Sequence, residues 1–192
     1  MGALKPLLPY GSGTVIRAAV RSLRASPVSR VLVVLGHRSE EIAADLQGSG
    51  AETVFNPRYR EGMLTSVQAG VAAAPEDTEW LVIALGDQPW VRPETVALLL
   101  DEARNGGPGI VVPSYGGRRG HPLLLHSRYR GEIARLEGQG GLRELLRRHP
   151  EEIRYVLFPD ESVLRDMDTP EEYQQALKDP ALAPTPGGER VG

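Results

Sequence analysis

The chain has 192 residues, a net charge of −3, 41% hydrophobic residues and no cysteine. This length suits one globular domain with a full core, and the charge argues against a nucleic-acid partner, which would need a basic excess. The missing cysteines exclude disulfides, zinc–thiolate sites and cysteine nucleophiles. No apolar run reaches the ~20 residues of a membrane helix and no signal-peptide pattern appears, so we expect a cytoplasmic protein without a membrane partner.

Strand and helix patterns alternate along the chain. It opens with a loop-like stretch, MGALKPLLPYGSG, which leads into a predicted helix over 14–23. Continuous apolar runs and β-branched residues predict strands over 30–36, 53–55, 80–85, 109–113 and 154–158, and an edge or antiparallel strand over 121–125. Helical spacing and breaker residues predict further helices over 39–47, 65–74, 93–104, 142–148 and 170–178.

Capping residues mark several of these helix starts. Ser39 is predicted as one N-cap, Thr65 or Ser66 as another, and Thr169-Pro-Glu-Glu172 has the pattern of a capping box. Strands that alternate with helices predict an α/β fold with a mostly parallel sheet and right-handed crossovers. We expect a single domain over 1–178, and a disordered tail over 179–192 because that segment is rich in Pro and Gly.

Acidic residues mark two candidate sites. Asp87, in LGDQP at 85–89, directly follows a predicted buried strand, where α/β sheets bind ligands. A carboxylate there suits Mg²⁺, which binds one or two carboxylates together with substrate phosphates; a turn-forming Asp is the alternative. Asp166 and Asp168 lie on one side of the chain if the segment is extended, although carboxylates before a capping box also serve the helix dipole.

Other polar residues mark possible ligand contacts. The stretch from Gly62 to Ser66 runs into a helix start, whose free N–H groups can receive a base, ribose or phosphate. Arg119 lies in a flexible basic segment and His121 precedes a proline; an anion clamp and a solvated hairpin tip are both open for this region. Lys5, between Gly and Pro residues, is either a phosphate-binding lysine or a surface lysine.

Five motifs in order resemble the molybdenum cofactor nucleotidyltransferases, and among them the cytidylyltransferase branch. MGALKPLLP is similar to the second half of the family's opening signature, L-A-A-G-x-S-x-R-M-G-x-x-K-x-L-L-P. The other four resemblances are GMLTSVQAG at 62–70, the DQP at 87–89, RGHP at 119–122 and DMDTPEEY at 166–173.

The resemblance implies a Rossmann-like three-layer sandwich of the nucleotide-diphospho-sugar transferase type. It also implies that the first central strand and half of its glycine loop are absent, which would leave two neighbouring strands without hydrogen-bond partners. The implied reaction transfers CMP from CTP to the terminal phosphate of molybdopterin and releases pyrophosphate. A molybdoenzyme or its maturation chaperone is the implied protein partner.

The resemblance also implies roles for single residues. Asp87, with Asp166 or Asp168, would hold Mg²⁺, and Lys5 would neutralise the phosphates as a catalytic residue alongside Asp87. The helix start at Gly62 and Ser66 would seat the nucleotide, and Arg119 and His121 would face the acceptor.

Three alternatives stay open beside the cytidylyltransferase. One is a guanylyltransferase, or a transferase of the same fold with another acceptor. A second is a non-catalytic nucleotide-binding member, because half of the opening loop is missing. The third, more distant, is an oxidoreductase-like member, although no G-x-G-x-x-G loop follows a strand here.

Overall fold

The computed structural model describes residues 4–138 and 140–178, so the predicted tail at 179–192 lies outside the described residues. The helices of this part are α1 Val15–Ala25, α2 Ser39–Asp45, α3 Met63–Ala73, α4 Pro93–Arg104, α5 Arg130–Arg135, α6 Leu142–Arg148 and α7 Pro170–Lys178. Its strands are β1 Pro9–Tyr10, β2 Gly13–Thr14, β3 Leu32–Leu35, β4 Glu52–Phe55, β5 Trp80–Ile83, β6 Ile110–Tyr115, β7 Arg118–Arg119, β8 Leu123–His126 and β9 Ile153–Leu157. No helix among these residues is long and apolar enough to span a membrane.

The main sheet has five strands and is mixed. β8 lies between β5 and β6 and is antiparallel to both, β7 forms a hairpin with the end of β6, and β9 pairs with β6 in parallel. The α/β prediction and the antiparallel strand near 121–125 are confirmed, but the sheet is not mostly parallel and β8 is not an edge strand. The reason is that β6, β7 and β8 follow one another through connections too short for a parallel crossover.

Helices cover both faces of this sheet, which confirms the three-layer sandwich. Because successive strand residues point to opposite faces, Ile110 and Val112 pack against α3, α5 and α6, whereas Val111 packs against α4. A separate cluster joins α1 and α2 to β3 through Ile16, Ile42 and other apolar residues. The central strands therefore carry apolar residues at consecutive positions, as strands covered on both faces do.

β3 and β4 form a parallel pair that stands apart from the main sheet. No strand of the described residues lies between β3 and β5, in line with the expectation that two strands would lack a neighbour. Both runs were predicted to be buried on both faces, yet Leu35 is the only buried residue of β3 and Leu81 the only buried residue of β5. The shared reason is a cleft along the unpaired edge of each strand.

Two helices have the predicted bounds, and two others lack the predicted N-caps. The bounds of α4 and α6 agree with the prediction. Ser39 is not an N-cap, because Arg38 precedes α2 in a left-handed conformation with φ 51°. Neither Thr65 nor Ser66 caps α3, which begins at Met63. Both helices thus begin after a residue with positive φ, a feature that sequence patterns for caps do not report.

The capping box at α7 is confirmed. The Thr169 amide donates to Glu172 Oε2 at 2.7 Å, and the Glu172 amide donates to Thr169 Oγ1 at 3.2 Å. Glu172 Oε2 also accepts from the Asp168 amide at 2.7 Å. The box therefore fixes the backbone that carries one of the candidate site carboxylates.

Thr169→Ala is expected to destabilise the protein by about 1 kcal/mol, because the Glu172 N–H group at the start of α7 loses the hydroxyl that accepts its hydrogen bond. For a chain of this length that corresponds to a fall in Tm of about 2–4 °C, measured by thermal denaturation. Thr95→Ala, inside the first turn of α4 and not at its N-cap, is the matched control and should change Tm by less than about 1 °C. Equal shifts in both variants would contradict the assignment of the cap.

Candidate active site

Lys5 and three carboxylates meet near the turn that follows β5. Lys5 Nζ donates to Asp168 Oδ1 at 2.7 Å, with 27% of the lysine side chain and 66% of the aspartate side chain exposed. An ion pair this open to water stabilises a fold by only about 0–1 kcal/mol. Lys5 is therefore held near the site by a contact that an anionic ligand can replace at little cost.

Asp87 lies half-buried in the same turn. Burial raises its pKa above the usual range, and the negative charges of Asp168 and Asp166 raise it further; a backbone hydrogen bond in its own turn and the Lys5 charge act in the opposite direction. Burial and like charges disfavour the ionised form of this carboxylate. A bound cation would therefore stabilise that form. The donor set of hard carboxylate oxygens suits Mg²⁺ or Mn²⁺.

The segment that carries Asp166 and Asp168 is held in place by a buried side chain and by a hydrogen bond. Met167, between them, is fully buried against Tyr10 and Trp90, so the two carboxylates point outward together, as the extended reading predicted. Gln88 is 3% exposed, and its side-chain Nε2 donates to the Arg165 carbonyl at 2.6 Å.

Gln88 is a residue that the sequence reasoning missed. Its hydrogen bond joins the turn that holds Asp87 to the segment that holds the other two carboxylates. The only signal for it in the sequence is its place inside the DQP motif, next to Asp87. Its Oε1 atom is buried and has no hydrogen-bond partner in the part of the chain that the structure describes.

His121 is held rigidly beside this turn. Its amide donates to the Val163 carbonyl at 2.8 Å, and the Gly120 amide donates to the Pro113 carbonyl at 2.8 Å. Burial lowers the pKa of the imidazole, against the smaller opposing effects of a backbone hydrogen bond with Ile83 and of the Asp87 charge. Its Nδ1 atom is buried and has no hydrogen-bond partner among the described residues, so it is a polar atom that a ligand can contact.

Arg119 lies on β7, exposed, with its guanidinium carbon 5.5 Å from the centre of the Tyr155 ring. This cation–π contact places the charge over the β9 side of the sheet. Arg119 also lines the cavity described below.

The start of α3 is shaped by Gly62 and by a buried amide. Gly62 has φ 116°, a conformation that favours glycine. Asn56, 2% exposed, donates through Nδ2 to Thr65 Oγ1 at 2.9 Å and to Ser66 Oγ at 3.0 Å. Thr65 Oγ1 in turn donates to the Gly62 carbonyl at 2.9 Å. Ser66 is thereby held at the first turn of the helix by a residue, Asn56, that the sequence reasoning did not select.

One cavity of about 1770 Å³ collects most of the predicted residues. It is lined by Lys5, Gly62, Ser66, Asp87, Arg119 and His121. Asp166 and Asp168 do not line this cavity. Their charges raise the pKa of Asp87, and Asp168 forms the ion pair with Lys5. In the described part of the chain no three His, Cys, Asp or Glu side chains are placed to hold a metal ion by themselves. A divalent cation here would need ligand oxygens from a bound molecule as well.

Comparison with known proteins identifies the family of the chain. Residues 1–153 match the family described as "MobA-like NTP transferase domain". The chain is 31% identical to nicotine blue oxidoreductase of Paenarthrobacter nicotinovorans, over 90% of this chain and 87% of that protein. It is 30% identical to the molybdenum cofactor cytidylyltransferase of Escherichia coli K12, over 65% of this chain and 62% of that enzyme.

Solved structures agree in fold. Rv0371c of Mycobacterium tuberculosis superposes with a TM-score of 0.81 at 28% identity, over 93% of this chain and 91% of that one. A manganese complex of Rv0371c superposes with a TM-score of 0.78 at 27% identity, over 93% and 94%. The superpositions support the α/β nucleotidyltransferase fold of this chain, whose mixed sheet has helices on both faces. The chain belongs to the MobA-like NTP transferase family.

Proposed function

We propose that the protein transfers CMP from CTP to the terminal phosphate of molybdopterin and releases pyrophosphate. The observation that carries the proposal is the convergence of Lys5 with Asp87 and Asp168 in and around the turn that follows β5, beside a large cavity that Lys5 and Asp87 line. The named activity of the Escherichia coli relative supports the base and the acceptor. A molybdoenzyme or its maturation chaperone would receive the product.

The residues suit displacement at phosphorus. In this reaction an oxygen of the acceptor phosphate forms a bond to the α-phosphorus of CTP, the bond from that phosphorus to the bridging oxygen breaks, and pyrophosphate leaves with the electron pair. Such transfer depends on positioning and charge neutralisation more than on covalent catalysis. Lys5 would release Asp168 and form an ion pair with the triphosphate instead. Asp87, with Asp166 or Asp168, would hold Mg²⁺, which neutralises phosphate charge when bound.

The remaining residues would bind the two substrates. The first turn of α3, at Gly62 and Ser66, offers free N–H groups and a hydroxyl to the nucleotide. His121 would offer its buried Nδ1 atom to the acceptor, since that atom has no partner within residues 4–138 and 140–178. Arg119, which lines the same cavity, would add positive charge.

A thermal-shift panel tests the proposal. CTP with Mg²⁺, at about 100 times its Kd, should stabilise the protein by about 2.7 kcal/mol, which is about 5–10 °C in Tm. GTP, ATP and UTP should give smaller shifts, and CTP without metal should give little. Pyrophosphate release with molybdopterin present completes the test. A larger shift with GTP points to the guanylyltransferase, a shift without turnover points to the non-catalytic member, and no shift with any nucleotide rejects nucleotide transfer.

An oxidoreductase is the second candidate. The observation that favours it is the match to nicotine blue oxidoreductase, which spans 90% of this chain, against 65% for the cytidylyltransferase. The test is a change in the visible absorbance of nicotine blue with a nicotinamide or flavin electron carrier present. Bleaching that depends on the protein, together with an absent CTP shift, would favour this candidate over the transferase.

A further inference from the structure

Lys5 lies in a short stretch of chain, residues 4–9, which we call the Lys5 segment. Residues Lys5–Leu7 form a single 3₁₀ turn, and Leu4 and Leu7 pack against the apolar cluster that joins α1, α2 and β3. On the side of the carboxylates, the ion pair with Asp168 holds the lysine. The proposed reaction requires Lys5 to leave Asp168 for the triphosphate, so this ion pair cannot hold the segment during transfer.

The hairpin of β1 and β2 turns the Pro9 carbonyl away from β2. These strands pair antiparallel, with Pro9 opposite Thr14. The Val15 amide donates to the Leu8 carbonyl at 3.0 Å, and hydrogen-bonded and non-hydrogen-bonded pairs alternate along an antiparallel ladder. The neighbouring Pro9–Thr14 pair is therefore a non-hydrogen-bonded pair, and the Pro9 carbonyl can accept a hydrogen bond from another element.

Tyr173 of α7 donates to this carbonyl. Its Oη atom lies 2.6 Å from the Pro9 oxygen, within the range of a well-formed O–H···O hydrogen bond. The tyrosine ring is partly buried and packs on the apolar cluster that contains Tyr10 and Met167. This packing fixes the direction of the hydroxyl group, and Pro9 follows Lys5 closely in the chain, so the hydrogen bond acts near the lysine.

The first turn of α7 also holds the carboxylate side of the site. Glu172 Oε2 accepts from the Asp168 amide and from the Thr169 amide, each at 2.7 Å. Glu172 thus binds the carboxylate segment, and Tyr173, the next residue, binds the Lys5 segment. Because both residues belong to one helix, α7 sets the position of the Lys5 segment relative to the carboxylates.

We propose that Tyr173 is a positioning residue for Lys5. This inference rests on the proposed transfer, in which Lys5 releases Asp168 and pairs with the triphosphate. The hydrogen bond from Tyr173 to Pro9 involves neither of these charges, so it persists when the ion pair breaks and keeps Lys5 beside the turn after β5. Tyr173 does not line the cavity, so it acts on the reaction through Lys5 and not on a substrate.

Hydrogen–deuterium exchange, followed by NMR, tests the hold on the Lys5 segment without any nucleotide. The reporters are the amides of Leu7 and Leu8, whose hydrogen bonds close the 3₁₀ turn. Tyr173→Phe should speed their exchange by about 10-fold, because it deletes one hydrogen bond and keeps the ring. The same effect should appear in an Asp168→Ala background, where the ion pair is already absent. Unchanged exchange in that background would overturn the proposal.

Kinetics with CTP and Mg²⁺ separate positioning from a general weakening of the fold. Tyr173→Phe should lower kcat by about 10-fold, because a small displacement of a charge-neutralising group weakens its effect in the transition state. KM for CTP should change by less than about 2-fold, as for an interaction made in the transition state. In a Lys5→Ala background the same substitution should lower kcat no further. Tyr115→Phe, exposed on β6, is the matched control and should retain full kcat.

The possible results distinguish this role of Tyr173 from the proposed function. A further fall in kcat in the Lys5→Ala background, or a raised KM with unchanged kcat, would show that Tyr173 does not act through Lys5. A parent chain that releases no pyrophosphate from CTP would instead reject the proposed transfer. The exchange experiment would then still decide whether Tyr173 holds the Lys5 segment.

Discussion

Asp87→Asn should reduce nucleotidyl transfer by about 10³-fold or more, which is about 4 kcal/mol of transition-state stabilisation. Asparagine keeps the size and the turn but removes the charge that would hold a divalent cation on the triphosphate. The loss should appear in kcat with saturating CTP, and the CTP-induced rise in Tm should become independent of Mg²⁺. Asp101→Asn, on the exposed face of α4, is the matched control and should retain full activity.

The same variant should be slightly more stable than the parent chain without ligand. Because the pKa of Asp87 is raised in the folded protein, its ionisation opposes folding at neutral pH. Water screens a half-buried carboxylate, so the gain should not exceed about 1 kcal/mol, or about 2–4 °C in Tm. The gain should be full above the raised pKa and should vanish below the unfolded value of about 3.9, where both forms are protonated. A Tm difference that persists at pH 3 would contradict this explanation.

The sequence patterns predicted which candidate residues lie close together better than they predicted the ends of the helices. Asp87 follows β5 and His121 comes just before β8, and these two strands pair antiparallel, so the end of one lies beside the start of the other. Lys5 reaches this edge because its segment packs on α1 and α2. The alternation around Met167 was also sufficient to place Asp166 and Asp168 on one side. These positions follow from local periodicity and from one rule about sheets.

Other features depend on contacts that no local pattern contains. The mixed sheet arises because β8 returns beside β6 through a hairpin, and its apolar run looks the same in either direction. Helix α5 was not predicted, since its six residues are too few to show a period. Gln88 and Asn56 act through hydrogen bonds to residues in other elements, and a single amide side chain carries no sequence signature for that role.

Gly120→Ala should be the most destabilising of these substitutions. A Cβ atom at this position would lie 2.3 Å from the Val163 carbonyl oxygen and 2.8 Å from its carbon, and backbone atoms cannot turn aside as a flexible side chain can. Relieving the overlap separates the 120–121 segment from Val163 and weakens the His121–Val163 hydrogen bond. We expect a loss of about 3 kcal/mol, or about 6–12 °C in Tm, measured by thermal and urea denaturation.

Gly131→Ala provides the control, because a Cβ atom there meets only the end of the Arg135 side chain at 3.6 Å, inside helix α5. Alanine favours a helix over glycine, so this variant should gain about 0.5–1 kcal/mol. Gly120→Ala should also lower transfer by about 10²-fold below the unfolding temperature, since a shift of about 1 Å in His121 moves it relative to the acceptor. If the two glycine variants lose stability equally, the approach of Val163 does not require glycine at 120. If Gly120→Ala loses stability but keeps its activity, His121 does not contact the acceptor.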